Sequence, residues 1–144
     1  MRRALVTGAS SGIGEATARL LASHGYAVAL LARRLEPLEA VAAELAAEGG
    51  VASSGGRHHV VTCDMTSSAS IAQAAKDLAE NFGTIDLVVC NAGVGYRAKI
   101  EELDDDLLDA VFATNVLGPM RLARELLPIL RLSERAVWVN VSSV

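Results

Sequence analysis

The sequence predicts an α/β domain built on a doubly wound parallel sheet, with five strands joined by four helical crossovers. Three observations lead there. Short β-branched apolar runs alternate with longer stretches of helical period. A glycine-rich turn stands directly between the first run and the first helical stretch. The apolar 51% of the chain is mostly Ala, Val and Leu, with aromatics at 3%, which suits buried strands covered by small-residue helices. A chain of 144 residues is one ordinary domain. A chain of that size buries about 70% of the surface its unfolded form exposes.

The elements follow in order. Arg3 to Thr7 is the first strand. Ile13, Ala16, Thr17, Leu20 and Leu21 mark the face of the first helix expected to be buried, and Gly25 stops it with His24 near its negative end. Ala27 to Ala32 is the second strand. The second helix begins near Pro37, a favourable first-turn residue, buries Leu38, Val41 and Leu45, and ends at Gly49. Residues 49–57, GGVASSGGR, read as a surface loop; they lack the strand-to-helix setting of a phosphate cradle. Val60 to Cys63 is the third strand. Ile71, Ala75, Leu78 and Phe82 give the third helix, closed by Gly83, and Ile85 to Cys90 the fourth strand. A helical stretch then runs from about Leu103 to Leu132, interrupted near Gly118-Pro119, before the fifth strand, Ala136 to Val141. The acidic cluster from Glu101 to Asp106 suits a solvated helix N-terminus. Right-handed crossovers turn this order into a doubly wound sheet.

Composition also excludes. A net charge of −4 gives no footprint for nucleic acid or an anionic membrane, and neither is expected as a partner. Met1-Arg2-Arg3 is followed by only three apolar residues before a Thr-Gly turn, and no run is long enough to span a bilayer. Cys63 and Cys90 end apolar strand-like runs. A disulfide between them is open in principle, but they read as small buried hydrophobes in a reducing compartment, so a cytoplasmic location is expected. His24, His58 and His59 have no metal-ligand spacing, the adjacent pair would face opposite ways at a strand start, and no metal is expected.

The chemistry begins at Thr7-Gly8-Ala9-Ser10-Ser11-Gly12-Ile13-Gly14. Gly8 allows a tight turn, Gly12 lets the backbone approach a ligand, and Gly14 allows close helix–strand contact. The N–H groups of the helix start would point at a pyrophosphate, with the helix dipole adding about 0.3–2 kcal/mol. Gly8, Ser10, Ser11, Gly12, Ile13 and Gly14 are therefore candidate cofactor-binding residues. The spacing of three residues and then one differs from the general dinucleotide fingerprint. At this point the chain resembles the short-chain dehydrogenase/reductase family, whose members share the TGxxxGIG turn.

The resemblance runs the length of the chain and implies a Rossmann-type fold. Asp64 and Met65, after Cys63, look like the family's acidic residue and its neighbour beyond the third strand, where the adenine is contacted; a simpler role for Asp64 is to cap the turn into Thr66-Ser67. Asn91-Ala92-Gly93 looks like the NAG motif after the fourth strand, and Asn91 could serve mainly to brace the central strand. Asn115 matches the family's helix asparagine. Asparagine is unfavourable in a helix interior, and the family supplies the reason, a local helix break holding a water of the proton relay. Pro119 has no N–H for the carbonyl of Asn115, which agrees. Asn140-Val141-Ser142-Ser143 matches the end of the fifth strand, so the resemblance makes Ser143 the catalytic serine beside Asn115.

Arg33 and Arg34 bear on the cofactor form. An NAD site places Asp or Glu at the end of the second strand for the ribose hydroxyls. Here two arginines stand instead, suited to bidentate contact with a 2′-phosphate, and no carboxylate follows until Glu36. NADP(H) is expected over NAD(H); the plainer alternative is that one arginine is only an exposed side chain. A methyltransferase or flavin-binding domain is disfavoured by the glycine spacing and by this basic strand end.

In the family a YxxxK motif on the helix after the serine supplies the acid/base tyrosine. This chain ends at Val144, and neither Tyr26 nor Tyr96 is followed by lysine four residues on. Residues 1–144 are thus expected to be a single dinucleotide-binding domain, C-terminally incomplete, with AVWVNV left as an apolar sheet edge. Losing general acid–base catalysis, typically ~10²–10⁴-fold, would leave little turnover. The expected function is an NADP(H)-dependent oxidoreductase interconverting a hydroxyl and a carbonyl on a small-molecule substrate, inactive as this chain alone and a homo-oligomer when complete. The alternative is a non-catalytic NADP(H)-binding sensor or partner module.

Overall fold

The computed structural model describes residues 2–47 and 57–142. The expected helix end at Gly49, most of the loop before Arg57, and Ser143 lie outside the described residues. The strands are β1 (Arg3–Thr7), β2 (Ala27–Ala32), β3 (His59–Thr62), β4 (Leu87–Cys90) and β5 (Val137–Asn140). They form one sheet in the order β3-β2-β1-β4-β5, with every pairing parallel. The sheet is therefore doubly wound, as expected, with β1 at its centre. Strands β1 and β2 match their expected limits. The other three shift or shorten by one or two residues, yet Ile85, now just ahead of β4, remains fully buried.

The helices are α1 (Gly12–Ser23), α2 (Leu35–Ala47), α3 (Ser68–Asp77), α4 (Asp105–Phe112) and α5 (Gly118–Leu130). A wider π turn over Leu78–Phe82 extends α3, and another over Ala113–Leu117 joins α4 to α5. Asp104 caps α4 by accepting from the Leu107 N–H at 2.8 Å, so the acidic cluster does serve a helix start. No helix among the described residues is long and apolar enough to cross a membrane.

Side chains alternate across each strand, and both faces of this sheet are covered, which is why the strands read as continuous apolar runs. Leu5, Leu31, Val88 and Cys90 face α3 and α5, meeting Ile71, Leu78, Leu122 and Leu126. Val6, Val28, Leu30 and Val89 face α1 and α2, meeting Ala18, Leu38, Val41 and Leu45. The core of α2 is the one the sequence predicts, although the helix starts at Leu35 rather than near Pro37. At the sheet edge, Val137 and Val139 of β5 are exposed, while Trp138 packs on the core from the other face.

Helix α1 corrects the sequence reading. The residues it buries are Gly14, Ala18 and Ala22, whereas Ile13 is 66% and Leu20 60% exposed and Ala16 is exposed too. Of the expected face, Leu21 does pack on the core, half-buried, so apolar size marks the buried side only in part. The helix start must lie almost on the backbone of β1 to form the turn, and only small residues at a four-residue spacing fit that approach. Enlarging this face, as in Ala18→Leu, should cost about 1–3 kcal/mol by overpacking. Chemical denaturation reads the loss, and an unchanged midpoint would place the Ala18 face away from the sheet.

Candidate functional site

The strand ends converge on one cleft. A cavity of about 320 Å³ opens at the C-terminal ends of β1, β2, β3 and β4, where open parallel sheets bind ligands at the reversal of strand order. Its walls carry Gly8, Ser10 and Ser11 from the first turn, Arg33 and Arg34 beyond β2, Asp64 and Met65 beyond β3, and Asn91, Ala92 and Gly93 beyond β4. Ten of the expected binding residues are thus brought together. Gly12, Ile13 and Gly14 lie in the same turn and helix start but do not line the cavity.

The turn is fixed by two kinds of constraint. Gly8 and Gly12 have φ of 67° and 58°, in the region that favours glycine. A Cβ on Gly12 would meet nothing within 4 Å, which is the open approach a ligand needs. A Cβ on Gly14 would instead lie 2.1 Å from the Gly8 carbonyl oxygen and 2.6 Å from Nδ2 of Asn91. Gly14 is what lets helix and strand touch.

Thr7, the last residue of β1 and the first of the turn, organises the neighbouring strand end. It is fully buried, and its Oγ1 accepts from the backbone N–H groups of Asn91 (3.0 Å) and Ala92 (2.9 Å). The Asn91 amide donates in turn to the Thr7 carbonyl at 3.2 Å and the Gly8 carbonyl at 3.4 Å. Asn91 therefore braces β1 against β4. Its placement at a strand end was legible from sequence, but the cross-strand role of Thr7 needed the register.

Asp64 adopts the capping geometry. Its Oδ1 accepts from the Thr66 N–H at 2.9 Å and the Thr66 hydroxyl at 2.8 Å. These two bonds, with the Arg33 guanidinium adding to them, hold its carboxyl below the usual carboxylate range. Arg33 and Arg34 are exposed at the rim.

Asn115 lies in the π turn, so the expected break in the helix is present. The Gly118 N–H reaches back five residues to Ala113, and Pro119 offers no N–H to Asn115. The Asn115 side chain is committed elsewhere. It accepts from the Val94 N–H and donates to the Val94 carbonyl, both at 2.8 Å, pinning the loop beyond β4. Its neighbour Thr114 lines the cleft.

The three histidines lie outside the cleft. His24 Nδ1 donates to the Leu20 carbonyl at the end of α1, His58 Nδ1 accepts from the Val28 N–H, and His59 pairs with Asp77 at 2.6 Å. Among the described residues no group of three His, Cys, Asp or Glu could hold a metal ion.

Cys63 and Cys90 are free, buried thiols. Burial raises both, Cys90 from the ordinary 9.0 to about 12. The unfolded Cys90 thiol ionises first, so its contribution to stability is whole below pH 9 and is lost as pH rises from there toward 12. Alkylation at pH 8 should be slow in the native protein and fast in denaturant. Native reaction as fast as the denatured would contradict this burial.

A family model described as short chain dehydrogenase matches residues 2–144. The chain belongs to that family. The chain is 34% identical over 140 residues to dehydrogenase/reductase SDR family member 7B from Bos taurus, covering 97% of this chain and 43% of that protein. It is 35% identical over 143 residues to the NADPH-dependent pterin aldehyde reductase of Arabidopsis thaliana, covering 99% of this chain and 56% of the reductase. Among solved structures, an alcohol dehydrogenase from Thermococcus sibiricus complexed with 5-hydroxy-NADP superposes with a TM-score of 0.91 at 38% identity, over 99% of this chain and 58% of that one. L-Sorbose reductase from Gluconobacter frateurii, complexed with NADPH and L-sorbose, gives 0.91 at 30% identity, over 99% and 52%. The chain thus spans about half or less of the length of the curated relatives it matches.

Proposed function

We propose that this chain forms the NADP(H)-binding part of an oxidoreductase that interconverts a hydroxyl and a carbonyl on a small-molecule substrate. The observation that carries the reading is that Arg33 and Arg34 line the same cleft as the glycine turn. The cleft fits the cofactor on its own chemistry. Gly12 leaves open space beside helix N–H groups for a pyrophosphate, and two guanidiniums stand where β2 ends for a 2′-phosphate. Gly8, Ser10, Ser11, Gly12, Ile13 and Gly14 would hold the pyrophosphate side, Asp64 and Met65 the adenine side, and Asn91, Ala92 and Gly93 the floor beyond β4. When bound, the nicotinamide ring supplies or accepts the hydride.

The chain's own contribution is to orient and to handle protons. Asn115 fixes the loop beyond β4 through Val94, and Pro119 leaves its carbonyl without the ordinary helical donor, able to hold a relay water. Ser143 is proposed as the hydrogen-bond donor to the substrate oxygen. NADP(H) complexes among the structural relatives support the cofactor class. The two buried free thiols suit a reducing, cytoplasmic setting. Residues 1–144 act here as one dinucleotide-binding domain, and the complete protein is expected to assemble as a homo-oligomer.

The test is a titration of the full-length protein with NADPH, followed by nicotinamide absorbance with a panel of aldehydes, ketones and alcohols. Tight binding with turnover is the expected result. Tight binding without turnover on any carbonyl or alcohol would favour the sensor module instead, and absence of NADPH binding would contradict both.

A further inference from the structure

One helical segment touches both loops that bound the cleft. Within the eight residues from Thr114 to Arg121, Asn115 makes two 2.8 Å bonds to Val94 in the loop beyond β4. On the next turn the chain meets the loop beyond β3. A Cβ on Gly118 would lie 2.7 Å from the Met65 carbonyl oxygen and 3.2 Å from both the Met65 Cβ and the Ala113 carbonyl oxygen. Arg121 then donates from Nη1 to the Thr66 carbonyl at 3.3 Å.

Gly118 is buried between exposed Leu117 and half-buried Pro119, so its lack of a side chain answers to Met65 and not to a general need for small residues here. Met65 and Thr66 both line the cleft, as does Thr114 on the intervening turn. The helix thus works as a spacer: one end holds residue 94, the other residues 65 and 66.

We propose that Gly118 and Arg121 are positioning residues that hold the Met65–Thr66 backbone at the adenine side of the cleft, and that the same segment sets the cleft width through Asn115. This rests on the reading of the cleft as an NADP(H) site with its adenine side at Asp64 and Met65. Glycine is the poorest helix former after proline, so Gly118→Ala favours the helix itself. Its cost falls on the Met65 carbonyl, which must move.

The experiment titrates the full-length protein and its variants with 2′,5′-ADP, the adenosine half of the cofactor, and with NADPH, alongside thermal melts. Gly118→Ala should weaken 2′,5′-ADP about tenfold, one decade in affinity, with a lowered melting temperature, because the helix gain does not offset a backbone contact of 2.7 Å. Arg121→Ala should weaken it about threefold, as for one modest hydrogen bond, and Arg121→Lys should restore most of that. A purely structural role would lower the melting temperature of both Arg121→Ala and Gly118→Ala while leaving the folded fraction's affinity intact, and that result overturns the proposal. So does wild-type affinity in both variants. Should Gly118→Ala not fold, the Arg121 pair decides alone. Failure of the wild-type protein to bind 2′,5′-ADP is distinguishable from these, because it overturns the reading of the cleft itself.

Discussion

Gly14→Ala should cost about 3 kcal/mol or more and abolish NADPH binding, the upper range for inserting a methyl where nothing can yield. The added Cβ would sit 2.1 Å from the Gly8 carbonyl oxygen, 2.7 Å from its carbon and 2.6 Å from Nδ2 of Asn91. None of these is the free end of a flexible side chain. Gly8 follows fully buried Thr7, which is bonded to the start of the Asn91 loop, and Asn91 is bonded back to Thr7 and Gly8. Relief therefore requires moving β1, the turn and β4 together. Two other glycines calibrate the result. Gly12→Ala meets no atom but forces alanine to a φ of 58°, which should cost about 1–2 kcal/mol. Gly95→Ala meets no atom at an ordinary φ and should be neutral. Denaturant unfolding should rank them 14, 12, 95. Gly14→Ala as stable as Gly95→Ala would show that the turn is looser than described.

Arg33→Asp should reverse the cofactor preference. Loss of a charge-assisted bond to a phosphate removes about 1.5–3 kcal/mol, or roughly 10–100-fold in NADPH affinity. The new carboxylate adds repulsion and would stand near Asp64, whose charge Arg33 now offsets. NADH, with ribose hydroxyls that an aspartate accepts from, should gain. Titration of both cofactors before and after the change reads the swap. Parallel losses of NADPH and NADH, or no change in their ratio, would leave Arg33 as an exposed side chain without a part in selecting the cofactor.

The fold was legible from local chemistry because every element carries a signal that tertiary context did not override. Strand runs are apolar on both faces, Leu38, Val41 and Leu45 repeat at helical spacing, and Gly83 follows the helical run closed by Phe82. The limits of β3 to β5 were less legible, since an apolar run continues past the last paired residue, as at Ile85. The face of α1 is legible only in part: Leu21 packs on the core, but where apolar bulk points to Ile13 and Leu20, close approach at Gly14 selects Ala18 and Ala22. Ten of the residues that line the cleft were legible as strand-end motifs. Thr7, Val94 and Thr114 were not, because their roles come from which distant elements the fold brings together, whereas Thr66 takes the local cap from Asp64 that the sequence offers. Likewise nothing local announces that the Asn115 side chain serves Val94, or that Gly118 makes room for the carbonyl of Met65.

On the proposed function, the cleft at the β1–β4 strand ends selects a nicotinamide dinucleotide carrying a 2′-phosphate. Calorimetric titration of the wild-type protein with NADPH and NADH side by side tests it most directly. NADPH should bind at least about tenfold more tightly, the smaller end of what one guanidinium–phosphate contact contributes. Equal affinities, or tighter binding of NADH, would contradict it.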